Sequence, residues 1–393
     1  MISTANRIEG VQEYYFSRKL AEVRRLNTPE LPVINLGIGS PDMAPAESAV
    51  EALVSAARQE GNHGYQSYKG IPELRKAIAA YYGNTYGVEL DPETMILPLV
   101  GSKEGIMHLT MAFVNPGEEV LVPDPGYPTY AAVANLVGAT IRPYAIKEEF
   151  NWNIDLEELK QQDLSRVKLM WINFPHMPTG STATTEQLAA LVALARQHNF
   201  LLVNDNPYSL ILNEKPLSVL SVPGAAEVAM ELNSLSKSHN MAGWRIGWLA
   251  GHKDYVDAVL RVKSNMDSGM FLGLQHAAVE ALQQGEEWFG KLNQEYSRRK
   301  KVAAQIMDAL ECTFTNDQSG MFLWAKAPEK VTDVPAWIDE ILYATHVFLT
   351  PGFIFGDAGK RYVRLSLCSP LEALEEAKSR ITGFLQQSAA AAH

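Results

Sequence analysis

Two cysteines, Cys312 and Cys368, are too few for a disulfide framework or a cysteine metal cluster, and they fit a reducing cytosol. No apolar run approaches the roughly 18–20 residues of a membrane span, and the first seven residues lack the apolar core of a signal peptide. A cytoplasmic chain without membrane contact is expected. Basic charge is also short: 34 Lys and Arg face 45 Asp and Glu, a net charge of −11. Neither nucleic acid nor an anionic membrane attracts such a surface, so both are excluded as partners. The nine histidines have no metal-ligand spacing, and no metal is expected. His176, His239 and His276 read as loop or interface residues, with His239 singled out only by its nearness to Lys237. There is no internal repeat and no low-complexity linker. The 30–45 residues ahead of the core are too few, and not basic enough, for a separate DNA-binding or sensor domain.

What is present is a 393-residue chain of ordinary globular composition, long enough for two domains. Short apolar runs at 95–100, 119–122, 140–145, 168–173, 200–204, 228–232 and 246–250 predict strands. Helical periodicity appears at 71–82, 103–114, 127–136 and 185–198. That alternation predicts a three-layer α/β/α domain around a mostly parallel sheet, over residues 46–269. Beyond 270 the pattern changes to long helices (274–310 with a break, and 371–385) flanking strand-like pieces at 321–325 and 362–366. A smaller α+β domain is expected there, joined by residues 1–45. The last residues, mostly alanine, read as a frayed tail.

In an α/β sheet ligands bind beyond the carboxyl ends of strands, and several polar residues fall at such places. Asp205 follows the apolar run from Phe200, and Tyr208 stands three residues on. A carboxylate there could pair with a protonated pyridine nitrogen, although a plain turn aspartate before Pro207 is the simpler alternative. Gly101-Ser102-Lys103 closes one strand and opens a helix, which makes an anion site from free N–H groups. Tyr127, in the turn Asp124–Tyr130, is held by prolines and could stack on a flat ring or merely pack there. Arg364, between apolar strand neighbours, needs a partner: a substrate carboxylate or a structural ion pair. Lys237 sits in Ser234-Leu235-Ser236-Lys237, eight residues before Arg245, with hydroxyls and glycines around it. An amine can form a Schiff base while hydroxyl and guanidinium hold a phosphate.

Together these features resemble the class I/II aminotransferases, the fold type I pyridoxal-phosphate enzymes. The resemblance runs from Leu36-Gly37-Ile38-Gly39 through Pro351-Gly352 to Arg364. It implies a ping-pong transaminase carrying pyridoxal 5'-phosphate, acting on an amino acid and a 2-oxo acid. Lys237 is then the Schiff-base lysine and proton carrier, Asp205 the partner of the ring nitrogen, and Tyr208 the donor to the ring oxygen. Tyr127 stacks on the ring, and Gly101, Ser102, Lys103, Ser234 and Arg245 hold the phosphate. Arg364 takes the substrate carboxylate, with Gly39 beside it. Tyr65 matches a tyrosine that reaches the partner subunit's phosphate, which implies a homodimer with shared sites. The same residues would serve a β-eliminating carbon–sulfur lyase, since reaction choice depends on how substrate bonds align with the ring.

Two departures from the family stand out. The family has asparagine where this chain has Met177, in Asn173-Phe174-Pro175-His176-Met177-Pro178-Thr179-Gly180. A thioether cannot donate, so Tyr208 is expected to serve the ring oxygen alone unless Asn173, His176 or water compensates. No arginine for a second substrate carboxylate appears around 263–269, and Asp267 would repel one. A neutral or apolar donor is therefore expected, with Tyr14, Tyr15 and Phe16 as candidate pocket walls.

Overall fold

The computed structural model describes residues 2–8 and 15–391. Its centre is an eight-stranded sheet. Five neighbouring strands run parallel: Ala229–Ser234, Leu201–Asp205, Val167–Ile172, Glu119–Asp124 and Thr140–Lys147. On one side Gly247–Gly251 and then Ile96–Leu99 add antiparallel; on the other Asn153–Ile154 closes the sheet. The seven expected strands are present, and Asn153–Ile154 is an eighth that two residues cannot announce as a periodicity.

The central strands are buried on both faces, which is why they read as continuous apolar runs. Their alternation sorts side chains between two cores. Leu169, Trp171, Leu201 and Val203 pack into one apolar cluster, whereas Met170, Ile172 and Leu202 enter the other. The helix Thr185–His198 shows how locally the covering helices are specified. Thr184 and Gln187 form a reciprocal capping box at its start, and Asn199 ends it in the left-handed region at φ 55°.

After residue 270 the expected helical stretch appears as Leu272–Leu282 and Glu286–Ala309, broken before Gly285. Phe322–Lys326 pairs antiparallel with Tyr362–Ser366, which also pairs with Thr350–Pro351. Near the N-terminus, Ile34–Asn35 lies parallel to Val347–Phe348. Arg299 draws the same segment in: its guanidinium holds both oxygens of Asp42 at 2.6 and 3.1 Å and Glu295 at 2.9 Å. Helices Tyr15–Leu26, Glu47–Ala57, Lys253–Lys263 and Val334–Thr345 are further elements that the sequence reading did not name. Among the described residues no helix is long and apolar enough to cross a membrane.

Candidate active site

The carboxyl ends of the parallel strands open onto a cavity of about 480 Å³. Asp205 ends its strand there and is 4% exposed. The Tyr130 hydroxyl donates to its Oδ2 at 2.9 Å, while Oδ1 is buried without a hydrogen-bond partner. Burial pushes this carboxyl up to about 6, against the Tyr130 hydrogen bond and the Lys237 charge, which both pull it down.

On the neighbouring strand Ser234 starts the helical turn Leu235–Ser238, its hydroxyl accepting from the Ser236 N–H at 3.0 Å. That turn carries Lys237, whose Nζ donates to the Gly39 carbonyl at 2.5 Å. Burial, ahead of every nearby charge, holds the Lys237 amine below its ordinary pKa. An amine so placed gives up its proton more readily and becomes a nucleophile.

The anion end is built by a close approach of three segments. Gly101 takes φ 82° and precedes the helix Ser102–Phe113. The Arg245 guanidinium lies where a side chain on Gly101 would be, and the positive φ there favours glycine over any residue with a Cβ. A Cβ on Gly247 would meet the Ser102 nitrogen at 2.7 Å, so glycine also lets that strand touch the helix start. Helix N–H groups, Arg245 and the Ser234 hydroxyl thus meet at one positive corner.

Across the cavity Arg364 is 5% exposed. Its Nη2 donates to the Gly37 carbonyl at 2.7 Å, and its Nη1 to the Met177 sulfur at 3.2 Å. The rings of Phe322 and Phe355 lie 4.0 and 4.6 Å from the guanidinium carbon. Tyr208 sets its ring edge-on to Phe322. Burial raises its hydroxyl well above the ordinary value, so it remains a donor.

Lys237, Asp205, Tyr208, Tyr127 and Arg364 therefore share one cavity wall with Gly39, Ser102, Lys103, Ser234 and Arg245. Gly101 stands behind Arg245 rather than on the wall. Tyr65 is not brought in: it is 93% exposed and away from the cavity of its own chain. Phe16 is on the wall, Tyr15 instead packs edge-on to Phe353, and Tyr14 lies outside the described residues.

Three expectations need correction or completion. Asn173 lines the cavity, where its amide donates to the Asp205 carbonyl and its oxygen accepts from the Met177 N–H, so one amide donor is already engaged. His176 bonds Thr179 at 2.8 Å, and burial pushes its ring down to about 3. His239, similarly, bonds Ser238 at 2.9 Å, with burial lowering it to about 4. Neither histidine is on the cavity wall. Asp267, third, is ion-paired with buried Lys263, which offsets the repulsion expected of it. The residue that sequence reasoning missed is Tyr130: it stood in the same turn as Tyr127, but nothing in the pattern gave its hydroxyl a partner 75 positions away.

Residues 32–381 match the family model of aminotransferase class I and II. The chain is 39% identical over 383 residues to the LL-diaminopimelate aminotransferase of Aquifex aeolicus, covering 97% of this chain and 99% of that one. It is 38% identical to the enzyme of that name from Dehalococcoides mccartyi, over 98% and 99%. BacF from Bacillus subtilis superposes with a TM-score of 0.93 at 35% identity, covering 98% of each chain. A mutant aspartate aminotransferase of Thermus thermophilus gives 0.90 at 26% identity, over 98% of this chain and 100% of that one. A family match over nearly all the chain, joined to a lysine, a carboxylate and an anion corner around one cavity, leaves one assignment: the chain belongs to the class I and II aminotransferases and is a pyridoxal-phosphate-dependent transaminase.

Proposed function

We propose that the cavity transfers an amino group from an amino acid to a 2-oxo acid by a ping-pong route, with Lys237 moving the proton. The observation that carries this is the unpartnered Asp205 Oδ1, buried on the same wall as the Lys237 amine. A buried carboxylate oxygen without a donor fits a protonated ring nitrogen, and the Gly101–Arg245 corner fits a phosphate dianion. The residues present therefore fit pyridoxal phosphate. When bound, that group supplies an electron-accepting ring conjugated to the carbon that receives the amino group.

The chain's own residues then divide the work. Asp205 accepts the ring N–H and keeps that proton in place. Ser102, Lys103, Ser234 and Arg245 would hold the phosphate, with Gly101 making room for Arg245 rather than touching it; Tyr127 would cover a ring face and Tyr208 would donate to the ring oxygen. Arg364 takes the substrate α-carboxylate beside Gly39, releasing the weak thioether contact with Met177. Lys237, neutral after displacement, would take the proton from the substrate Cα and return it to the cofactor carbon on the other side of the amino nitrogen. Water would then supply the carbonyl oxygen of the departing oxo acid and leave the amino group on the cofactor, from which a second oxo acid would take it by the same steps reversed.

The donor on this reading is a diamino dicarboxylic acid of the diaminopimelate kind, supported by the named activity of relatives at 36–39% identity. It replaces the neutral or apolar donor expected from sequence, because the pairing of Asp267 with Lys263 weakens the repulsion on which that expectation leaned. A second reading, an apolar donor, is favoured by Phe16, Leu20, Ile38 and Phe355 on the wall. The lyase alternative has no such support, since the relatives named above are aminotransferases. A donor panel separates these cases by the oxo acid formed in a single turnover. LL-diaminopimelate reacting faster than phenylalanine or leucine supports the first reading; the reverse order overturns it. Pyruvate and ammonia from a β-substituted donor would mark a lyase.

A homodimer with shared sites, in the cytoplasm, completes the proposal. The exposed Tyr65, with Val50, Val54, Met266 and Phe271 also exposed, supports a face that a second copy covers. The division into 46–269 and 1–45 with 270–393 is likewise our reading, supported by the pairing of Ile34–Asn35 with Val347–Phe348.

A further inference from the structure

We propose that Tyr130 is a positioning residue that turns Oδ1 of Asp205 to the cavity and keeps the carboxylate ionised. The inference rests on the reading of Asp205 as the partner of the cofactor's ring nitrogen.

Rotation about the terminal bond of an aspartate is broad and nearly two-fold, so nothing in the residue itself selects which oxygen faces a ligand. Here a single donor breaks that symmetry. The Tyr130 hydroxyl engages Oδ2 at 2.9 Å and leaves Oδ1 without a partner. Tyr130 is itself held: its ring stacks on Trp171 at 5.0 Å with planes 6° apart, and Tyr127 meets its edge at 5.5 Å. Its backbone N–H also bonds the Tyr127 carbonyl at 3.2 Å. The phenol is 1% exposed, and these ring contacts make its hydrogen bond a fixed feature of the wall.

Other elements around Asp205 do not do this. Lys237, on its own turn, contributes a positive charge that favours the carboxylate. Asn173 reaches only the main-chain oxygen of Asp205. Tyr208 and Tyr127 share the wall, and neither has a hydrogen bond to the carboxylate. Burial drives the carboxyl towards its neutral form, with Tyr130 opposing it. A protonated Asp205 cannot accept a ring N–H. Without Tyr130 the acid would gain its proton at higher pH, and the ring nitrogen would lose its partner there.

The test compares holoenzymes of the wild type, Tyr130→Phe, Tyr130→His and Asp205→Asn. Two quantities are followed against pH: the dissociation constant of pyridoxal phosphate, read by fluorescence, and kcat/KM of the half-reaction. Tyr130→Phe keeps the ring stack but lacks the donor. Its acid limb should move up by about one pH unit, with cofactor affinity about tenfold weaker near pH 6 and close to wild type near pH 8.5. Tyr130→His retains a ring N–H and should recover part of the shift. Should the Phe variant be unstable, Tyr130→Met and Tyr130→Gln give the same contrast between a non-donor and a donor. Non-donor and donor variants with the same pH profile as wild type, beside a weakened Asp205→Asn, would overturn the role of Tyr130. An Asp205→Asn enzyme with undiminished cofactor affinity would overturn the reading of Asp205 instead.

Discussion

The sulfur of Met177 lies 3.2 Å from Nη1 of Arg364, although 187 positions separate them in the chain. A thioether is a weak acceptor, so a substrate carboxylate displaces it at little cost. Met177→Asn puts an amide oxygen in competition for the same N–H and should raise KM about tenfold with a smaller change in kcat. Its amide would also reach towards the ring oxygen, which on the proposed reading Tyr208 serves alone in the wild type. The visible band of the bound cofactor should then titrate at lower pH than in the wild type. An absorbance titration with no difference between the two proteins would refute this part.

Arg364→Lys keeps the charge and removes the fork. Two parallel charge-assisted hydrogen bonds become one point contact, and the flat stacking between Phe322 and Phe355 is lost. KM for donor and acceptor should both rise, by about 10- to 100-fold, measured in the two half-reactions. A rise in only one would mean that the two substrates use different anchors.

Lys237→Ala removes the proton carrier while leaving Asp205, Arg245 and Arg364 in place. Single-turnover conversion should fall by about a thousandfold or more, and added ethylamine should restore part of it. The melting temperature of the apoprotein should hold or rise, because a buried amine held below its ordinary pKa is absent.

Glu231 is fully buried in the sheet, accepting from Tyr82, Asn204 and the Val219 N–H at 3.0–3.1 Å. Burial outweighs these donors and pushes its carboxyl up to about 7 from 4.5. The folded protein thus keeps a proton that the unfolded chain releases between those values. Stability from this group is greatest below pH 4.5 and declines as pH rises through 7, by at most about 1.4 kcal/mol per pH unit. Glu231→Gln should flatten that slope in denaturation experiments at pH 5 and pH 7.5; an unchanged slope would assign it elsewhere.

Mixed dimers test whether the site is shared between subunits. Lys237→Ala and Tyr65→Ala homodimers should each be weak, Tyr65→Ala through cofactor loss. Refolded together, half of the dimers are hybrids with one intact site, so about a quarter of full activity should return. No gain on mixing would put each site within a single subunit.

Much of the site is legible along the chain because local chemistry announces it. The apolar run before Asp205 sets a strand end, glycines at 101 and 247 mark close approaches, and the Ser234–Arg245 spacing joins an amine to a positive corner. The break expected within 274–310 shows the same local logic, with Gly285 capping the start of the second helix after the first ends at Leu282. Short elements such as Asn153–Ile154 escape, since two residues carry no period.

By itself the sequence determined the layered α/β fold and which groups end the strands, since periodicity and turn chemistry are local properties. Only the tertiary structure decided what those groups touch. It brought Tyr130 to Asp205, set Met177 against Arg364, neutralised Asp267 with Lys263 and enclosed Glu231 in the sheet. Each of these depends on which faces of distant segments pack together, and packing, not spacing along the chain, sets the direction and solvation of a buried side chain.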